Sequence, residues 1–449
     1  MVNPGNMLHK GSVLVCVLLV GVTWPNAGFG EAFRILDQSA SATAQGAAFA
    51  AQANDASAIH YNPAGMTQLP GVQFSIGTNL IGGHVTFKSA TGTTVKGNLR
   101  GPVANPPPSQ LYLTANLADV GLDVLKGWTV GLGVTSPFGI LIEYPKTSPF
   151  ASVATQASLP LIDIKPTVAY KINPYISIGA GLDIYTFASF LGEGQGETQR
   201  VDTGSTLEAN GKDTAVGFNA SFLLTPFRHA NGTPMVNLAF VYRSQTNLNL
   251  KGALQANGVN LAGASTTLEL PQIVTGGLAV WPIRNQTREW KIEVDLDYAD
   301  WTEFQDLNLR LSNGLTIPLP RQYSDSFVVM IGTEHKWLHL SSLPDWEIAL
   351  RGGYVRSETP IPSRTFEPAV PDADYNALST GVGLTCKGHG QFLGLFPCDS
   401  FGIKGMGLDI AYQVLLYQTR GISNNINPAV NGRWDTILHV GALNFRINF

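Results

Sequence analysis

Charged side chains are scarce in this chain: Asp, Glu, Lys and Arg together make up 13% of its 449 residues. Soluble proteins carry about twice that share. Long apolar runs are also missing, because no stretch after residue 30 reaches the ~18 consecutive apolar residues of a helix that spans a bilayer. These absences argue against an ordinary soluble protein and against a helical membrane protein. The formal net charge of −4 provides no excess of positive charge, and we expect no nucleic-acid partner.

Cysteine is rare as well, with three in the whole chain. Cys16 lies in the apolar run 13–20, which is too short to cross a bilayer and is typical of a secretory signal peptide. The small residues of segment 28–30 offer a cleavage site. We therefore predict a signal peptide over 1–30 and a mature chain that starts at Glu31, within about three residues. Cys16 would leave with the signal.

The other two cysteines, Cys386 and Cys398, enclose a short segment. In an exported protein this spacing predicts a disulfide that closes the loop. A metal site that includes His389 is the alternative, but its spacing and ligand number match no common pattern, so we expect no metal ion. The eight His are scattered and no Ser/His/Asp arrangement stands out. We expect no catalytic residue and no cofactor.

What the chain does contain is alternation. In segment 443–449 large apolar side chains occupy the odd positions and polar ones the even positions. Successive side chains of a strand point to opposite faces, so one face of this strand is apolar and the other polar. A terminal Phe449 on an exported chain is typical of a barrel in a bacterial outer membrane, and it is the residue through which we expect contact with the barrel-assembly machinery.

Alternation and turn signals together predict fourteen strands, an even number as bacterial single-chain barrels require. The fold class is therefore an all-β membrane protein, a 14-stranded antiparallel transmembrane β-barrel over 71–449 in the outer membrane of a Gram-negative bacterium. The links alternate between short ones, assigned to the periplasm, and long external ones; the exception is 387–404, a long link on the short side. The predicted strands are 71–88, 108–117, 127–136, 159–171, 175–189, 213–226, 234–248, 270–282, 290–307, 322–337, 345–357, 375–386, 405–418 and 435–449.

Tryptophan positions agree with this arrangement. Aromatic rings settle at the bilayer interface, so tryptophans near the ends of the predicted strands indicate a girdle. Five of them lie near the predicted periplasmic turns and one opens the last strand at the outer rim: Trp128, Trp281, Trp290, Trp337, Trp346 and Trp434.

Segment 31–70 has a different composition, rich in small residues and poor in β-branched ones. It cannot form a membrane strand, and its alanine content indicates short helical turns. We predict that 31–70 is a hatch, a plug inside the lumen of the barrel. The alternative is a mobile periplasmic tail.

Several short motifs, taken in order, resemble the long-chain fatty-acid transporters of the outer membrane (FadL type), a family that includes importers of aromatic hydrocarbons. The motifs are at 62–64, 131–139, 165–173, 241–244, 270–271 and 300–304, together with the terminal strand. The resemblance covers about 31–449. It implies a hatch-plugged barrel and passive uptake, with capture of a hydrophobic molecule among the external loops, a pocket beside the hatch, and lateral exit at an inward kink of the third strand.

The resemblance also implies roles for particular residues at that kink. The hatch residues there would be Asn62, Pro63 and Ala64. The kink itself would be Ser136, Pro137, Phe138 and Gly139. The sequence independently predicts a break at this point, because Pro137 removes a backbone donor and Gly139 weakens strand packing.

Two apolar segments are candidates for ligand binding. An exposed loop as apolar as the one after the kink indicates a binding surface, with packing on its own neighbours as the alternative. Segment 185–192 has no basic residue to pair with a carboxylate, which favours a neutral ligand. The candidates are Ile140, Leu141, Ile142, Phe150, Phe187, Phe190 and Leu191.

Three hypotheses follow for the function. Uptake of neutral hydrophobic molecules such as monoaromatic hydrocarbons is favoured over uptake of long-chain fatty acids. The third is a non-transporting surface receptor or adhesin on the same barrel, which predicts an intact wall. The expected surroundings are outer-membrane lipid and lipopolysaccharide, and we expect a monomer.

Overall fold

The computed structural model describes residues 31–187, 194–392 and 394–449, without the side chain of Phe401. The predicted signal peptide and two of the ligand candidates, Phe190 and Leu191, lie outside the described residues. No helix in the described part of the chain is long and apolar enough to cross a membrane.

Fourteen antiparallel strands form a closed barrel, because the last strand pairs back onto the first from Gln73–Asn448 to Ser89–Gly432. The predicted strand number and closure are thereby confirmed. The wall strands are β1 (Val72–Ser89), β2 (Ser109–Asn116), β3 (Trp128–Thr135), β4 (Gln156–Lys171), β5 (Ile176–Phe187), β6 (Ala215–Arg228), β7 (Pro234–Arg243), β8 (Gln272–Arg284), β9 (Arg288–Asp300), β10 (Ser326–Trp337), β11 (Trp346–Ser357), β12 (Tyr375–Lys387), β13 (Gly405–Tyr417) and β14 (Gly432–Asn448).

The links between wall strands carry their own short elements. One set consists of strands: Thr94–Gly97, Gly139–Glu143, Gly196–Asp202, Ser205–Gly211, Thr246–Ala256, Val259–Leu270, Leu309–Leu311, Thr316–Ile317, Gln391–Phe392, Phe396–Pro397 and Arg420–Ile422. The other consists of single 3₁₀ turns: Asp123–Leu125, Trp301–Glu303, Ser400–Gly402 and Pro428–Val430.

Three predicted strands were too long at their external ends, among them the one predicted over 322–337, which begins only at Ser326. The strand predicted over 234–248 stops at Arg243, and the one predicted over 290–307 stops at Asp300. Beyond Arg243 the chain leaves the wall and forms a hairpin that begins with Thr246–Ala256. This loop hairpin alternates like a wall strand, so periodicity alone cannot separate the two.

Side-chain alternation in the wall follows the predicted pattern. Along β9, Glu293, Asp295 and Asp297 are buried, whereas Val294 and Leu296 between them are exposed. An exposed apolar face and a buried polar face are what a barrel in lipid requires.

The tryptophan girdle is partly different from the prediction. Trp281 and Trp434 are buried: their strands turn them inward, Trp281 against Ala50 and Ala51 and Trp434 against Phe87. They are therefore packing residues and do not belong to the girdle. The tryptophans that share the outward face at the end of the short turns are Trp128, Trp290, Trp337 and Trp346.

Cys386 and Cys398 form a disulfide, with their Cα atoms 5.9 Å apart. Since both thiols are used in this bond, they do not form a metal site with His389, whose ring instead lies 3.0 Å from an Asp399 carboxylate oxygen. The disulfide closes the link between β12 and β13, the long link on the side of the short turns.

We predict that replacing both cysteines by serine lowers the free energy of unfolding by about 3 kcal/mol at most, because the bond closes only a short loop. Substrate uptake should stay unchanged. Urea unfolding in lipid vesicles measures the first effect and accumulation of radiolabelled substrate the second. Wild-type protein treated with a reducing agent is the matched control. Loss of uptake in the double variant would contradict the prediction.

Candidate functional site

The N-terminal segment 31–70 lies against the inner face of the wall. It contains α1 (Ala40–Thr43), α2 (Ala58–Tyr61) and the 3₁₀ helix Pro63–Gln68. Small residues make the close fit possible: a Cβ atom on Gly353 or Gly381 would collide with this segment. The alanines of the segment and the glycines of the wall therefore serve the same purpose, which is to bring two backbones close together.

Two wall carboxylates hold the middle of this segment. One Asp295 oxygen accepts hydrogen bonds from the backbone N–H groups of Phe49 and Ala50, both at 2.8 Å. One Glu293 oxygen accepts from Ala51 at 2.7 Å and Gln52 at 3.1 Å. These four N–H groups do not pair with a neighbouring strand. The inward carboxyl groups of β9 accept their hydrogen bonds instead.

Among the described residues, Asn62 and Ala64 form hydrogen bonds with β6 and with the segment itself and not with residues 136–139, so their role at the kink stays a prediction. Asn62 donates to the Ala50 carbonyl at 2.8 Å, and the Ala64 N–H donates to the Ser221 hydroxyl of β6 at 3.0 Å. A Cβ on Gly179 of β5 would collide with Ala64. The 3₁₀ helix that starts at Pro63 packs on the inner face of β3, β4, β5 and β6.

The third strand is broken where the sequence predicts it. β3 ends at Thr135, and the chain resumes as Gly139–Glu143, which pairs with β4 along its length and bridges to Asn98 at Glu143. The break belongs to Ser136, Pro137 and Phe138. The backbone groups freed here are satisfied by the N-terminal segment.

The partners of the kink are residues 33–38. Ile35 N–H donates to the Pro137 carbonyl at 2.8 Å, and Gly139 N–H donates to the Phe33 carbonyl at 2.9 Å. The Gln38 amide donates to the Ser136 carbonyl at 3.0 Å and its oxygen accepts from Ser136 N–H at 3.1 Å. The beginning of the segment therefore replaces the wall strand that the kink has lost.

The neighbouring strand is shortened too. β2 begins only at Ser109, directly after the run 106–108, which is three prolines. Proline has no N–H to donate, so this run cannot extend the ladder towards β3. Pairing between β2 and β3 ends at Leu111–Val134. Beyond that pair, towards the external loops, β2 and β3 are no longer hydrogen-bonded to each other, and the wall has a gap.

A cavity of about 660 Å³ occupies this gap and the lumen behind it. Its lining includes residues of the outward face, among them Ile76, which is 45% exposed, and Leu111. It also includes lumen residues such as Tyr375 and Gln413. One cavity with both kinds of lining passes through the wall.

The cavity is apolar with a few carboxylates. In the described part of the chain its charged lining residues are Glu31, Arg34, Asp37 and Asp372. Arg34 is engaged, since it pairs with Glu31 at 3.2 Å and with Asp297. Desolvation raises the pKa of Glu31 to about 7 and those of Asp37 and Asp372 to about 6. The charge balance of the lining is thus negative.

A smaller cavity of about 180 Å³ lies among the external loops. Phe33, Ile140 and Leu159 line both cavities, so the two cavities are adjacent. The smaller cavity also borders on Arg200 and on Arg321, which pairs with Glu367 at 2.7 Å.

The predicted ligand residues divide into two groups. Ile140, Leu141 and Ile142 line the larger cavity, whereas Phe150 and Phe187 line neither. Phe150 is fully buried and packs on other rings at centroid distances of 5.1–5.2 Å; its partners are Phe87, Tyr144 and Trp434. Phe150 and Phe187 both belong to the apolar core under the loops, so a role of these two residues in ligand binding stays a prediction.

Sequence reasoning missed much of the larger cavity. Residues 31–37 and 369–371 line it, but neither segment shows a periodicity that indicates which side chains face a cavity. The proline run 106–108 is a signal in the sequence that predicts where strand pairing ends, because three successive residues without an N–H cannot continue a ladder of hydrogen bonds.

The comparisons with known proteins agree with this geometry. Residues 21–391 match the family model described as outer membrane protein transport protein (OMPP1/FadL/TodX). The chain belongs to this family. It is therefore a multi-pass β-barrel of the Gram-negative outer membrane, in a family of transporters of hydrophobic substrates and not of enzymes.

Individual relatives are more distant. A long-chain fatty acid transport protein of Escherichia coli K12 is 25% identical over 423 residues, with 84% of this chain and 88% of the relative covered. A FadL homologue of Pseudomonas aeruginosa superposes with a TM-score of 0.72 at 16% identity, covering 94% of this chain and 100% of that one. The Pseudomonas putida toluene transporter TodX gives 0.63 at 15% identity, covering 93% and 100%. These structural likenesses show a shared fold.

The carboxylate anchors generate a prediction. Asp295→Asn should weaken the hydrogen bonds to Phe49 and Ala50, because it replaces one carboxyl oxygen by an NH₂ group that cannot accept, and a buried N–H without an acceptor costs about 1–3 kcal/mol. Amide hydrogen exchange at these two positions should then accelerate at least about tenfold. Asp435→Asn, which alters an exposed carboxylate paired with Arg433, is the matched control. Equal protection in wild type and Asp295→Asn would show that the anchor does not hold the segment.

Proposed function

We propose that this chain passively takes up neutral hydrophobic molecules, with monoaromatic hydrocarbons as the substrate class. The molecule is captured at the smaller cavity among the external loops, passes to the larger cavity beside segment 31–70, and leaves sideways through the gap at the kink. In this proposal the segment acts as the hatch. The observation that supports it most is the single cavity whose lining joins the lumen to the outward face of the wall.

Such a route is favourable on physical grounds. Lipopolysaccharide blocks direct partitioning of hydrophobic molecules, and a water-filled pore offers them no gain. An apolar cavity lowers their free energy by about 25 cal/mol for each Å² of apolar surface removed from water. Exit into the bilayer then avoids a second exposure to water.

The charges of the larger cavity support a neutral substrate. Glu31, Asp37 and Asp372 contribute three carboxyl groups, and the single lining cation in the described residues, Arg34, is already paired. A fatty carboxylate in this cavity would find no free cation. Burying an unpaired charge is costly, whereas a neutral ring meets no such penalty.

Long-chain fatty acids are the second candidate. Arg200 borders the smaller cavity and has no acidic partner within 4 Å among the described residues, so it could receive a carboxylate at the capture step. The Escherichia coli relative is named as a fatty-acid transporter. The receptor or adhesin hypothesis is the weakest, because it expects an intact wall.

We also propose the surroundings, the assembly partner and the oligomeric state of the protein. We place outer-membrane lipid and lipopolysaccharide around the wall, assign Phe449 to recognition by the barrel-assembly machinery, and take the protein to be a monomer.

Closing the gap tests the exit route. Ser136→Arg puts a charged side chain among the residues lining the opening, and its burial in an apolar passage should reduce uptake at least about tenfold. The barrel should still fold, as judged by its heat-modifiable mobility on gels. Ser312→Arg, the same substitution in an exposed external loop, is the control and should transport normally. Normal uptake by Ser136→Arg would refute lateral exit.

The pH dependence of binding tests the substrate class. The carboxyls of the larger cavity are neutral near pH 5, and Glu31 ionises as the pH rises through about 7. Oleate affinity should therefore fall about tenfold or more between pH 5 and pH 8, whereas toluene affinity should stay constant. Equilibrium binding of radiolabelled ligands to protein in nanodiscs, corrected for empty discs, measures both.

Oleyl alcohol is the matched ligand control, because it keeps the chain of oleate without the carboxylate and should behave like toluene. Oleate affinity that instead falls when the acid is protonated, and falls again in Arg200→Gln, would favour the fatty-acid hypothesis.

A further inference from the structure

The long link between β12 and β13 is out of place for its side of the barrel. It joins Lys387 to Gly405 at the end where the other links are mostly short turns, the end that faces the periplasm in outer-membrane barrels. A link of this length, closed by a disulfide, is not needed to connect two adjacent antiparallel strands. Its contacts show where it goes instead.

The disulfide holds the link on the outside of the wall. In β12, Tyr375 and Ala377 pack against the N-terminal segment and therefore face the lumen, while Leu378 and Val382 are exposed on the outer face. Cys386 is in phase with the latter two, because side chains alternate at period two. Its bond to Cys398 therefore brings the returning chain onto the outer face.

Aromatic packing fixes the link in that place. Phe392 is buried and stacks on Trp346 with ring centroids 6.1 Å apart and an interplanar angle of 20°. It also lies edge-on to Phe445 at 5.7 Å. Both partner rings belong to the outward face of the wall, the face that lipid covers.

The far side of the same hairpin is apolar and uncovered. Gln391–Phe392 pairs with Phe396–Pro397, and at the tip Leu395 is 73% exposed and Phe396 59% exposed. The polar His389 and Asp399 lie at the base of the link and contact each other. The link thus has an apolar tip and a polar base, directly beside the lipid-covered belt.

We propose that this hairpin is a lipid anchor: Leu395 and Phe396 insert into the headgroup and upper acyl region of the periplasmic phospholipid leaflet. The occupant is phospholipid because the hairpin packs on Leu408 and Phe445 of the outer wall. Ile410, two residues further along the same face of β13, is 53% exposed, so the hairpin tip continues the bilayer-covered surface. The disulfide then keeps the hairpin against the wall at the depth of the interface. This inference does not depend on the proposed substrate or exit route.

Spin-label accessibility tests the anchor. A ketoxime-linked label on p-acetylphenylalanine, which leaves both cysteines intact, is placed at Leu395 in the full chain, reconstituted in phosphatidylcholine and phosphatidylglycerol nanodiscs. The ratio of oxygen to nickel-chelate accessibility reports membrane depth. Labels at Ile410 and His389 provide the lipid and water references. We expect the ratio at Leu395 to lie closer to that at Ile410.

Two outcomes would overturn the proposal or its mechanism. A ratio at Leu395 equal to that at His389 means that the tip is in water, and the lipid anchor is then wrong whether a protein partner or nothing covers it. With Cys386→Ser and Cys398→Ser combined, the ratio at Leu395 should move towards the water reference. An unchanged ratio in that folded variant would show that the disulfide does not hold the hairpin in place.

Discussion

Backbone polar groups at membrane depth need partners inside the protein, because the hydrocarbon core supplies no water to bind them. The closed ladder from β1 to β14 meets this need for most of the wall. It fails at Ser136–Phe138, where Pro137 and the prolines before β2 prevent pairing. Residues 33–38 restore the missing hydrogen bonds from inside. The break in the wall and the folded N-terminal segment therefore depend on each other, because this segment supplies the backbone hydrogen-bond partners of the kink.

The same constraint explains the polarity of the lumen. A segment without regular strands has many N–H groups to satisfy, and the carboxylates of Glu293 and Asp295 accept four of them. The cavity beside the gap, in contrast, is lined mainly by apolar residues. Polar side chains therefore hold the N-terminal segment in the middle of the lumen, and the apolar cavity lies at a different place, where the wall is open.

Features set by local chemistry were predictable from the sequence. The fourteen wall strands follow from the alternation of apolar and polar side chains. The break in the third strand follows from Pro137, because a residue without an N–H removes a ladder hydrogen bond in any tertiary context. Tertiary features were not. Phe150 and Trp434 are apolar residues in plausible places, but only the fold decides that they pack on each other at 5.2 Å and not on a ligand or on lipid. The contacts of residues 33–38 also depend on what lies across the lumen, and these residues carry no periodic signal.

Strand pairing continues on both sides of the gap, so the gap does not open the rest of the barrel. Below it, β2 and β3 remain paired from Leu111–Val134 to Asn116–Thr129. Above it, the continuation of the third strand, Gly139–Glu143, stays bonded to β4, and residues 102–104 stay close to β1 through the Ala104 N–H bond to the Ile81 carbonyl. The opening is therefore a window framed by hydrogen bonds and not a free strand edge. A free edge would expose unpaired groups along its length, whereas a window limits them to the few that residues 33–38 can satisfy.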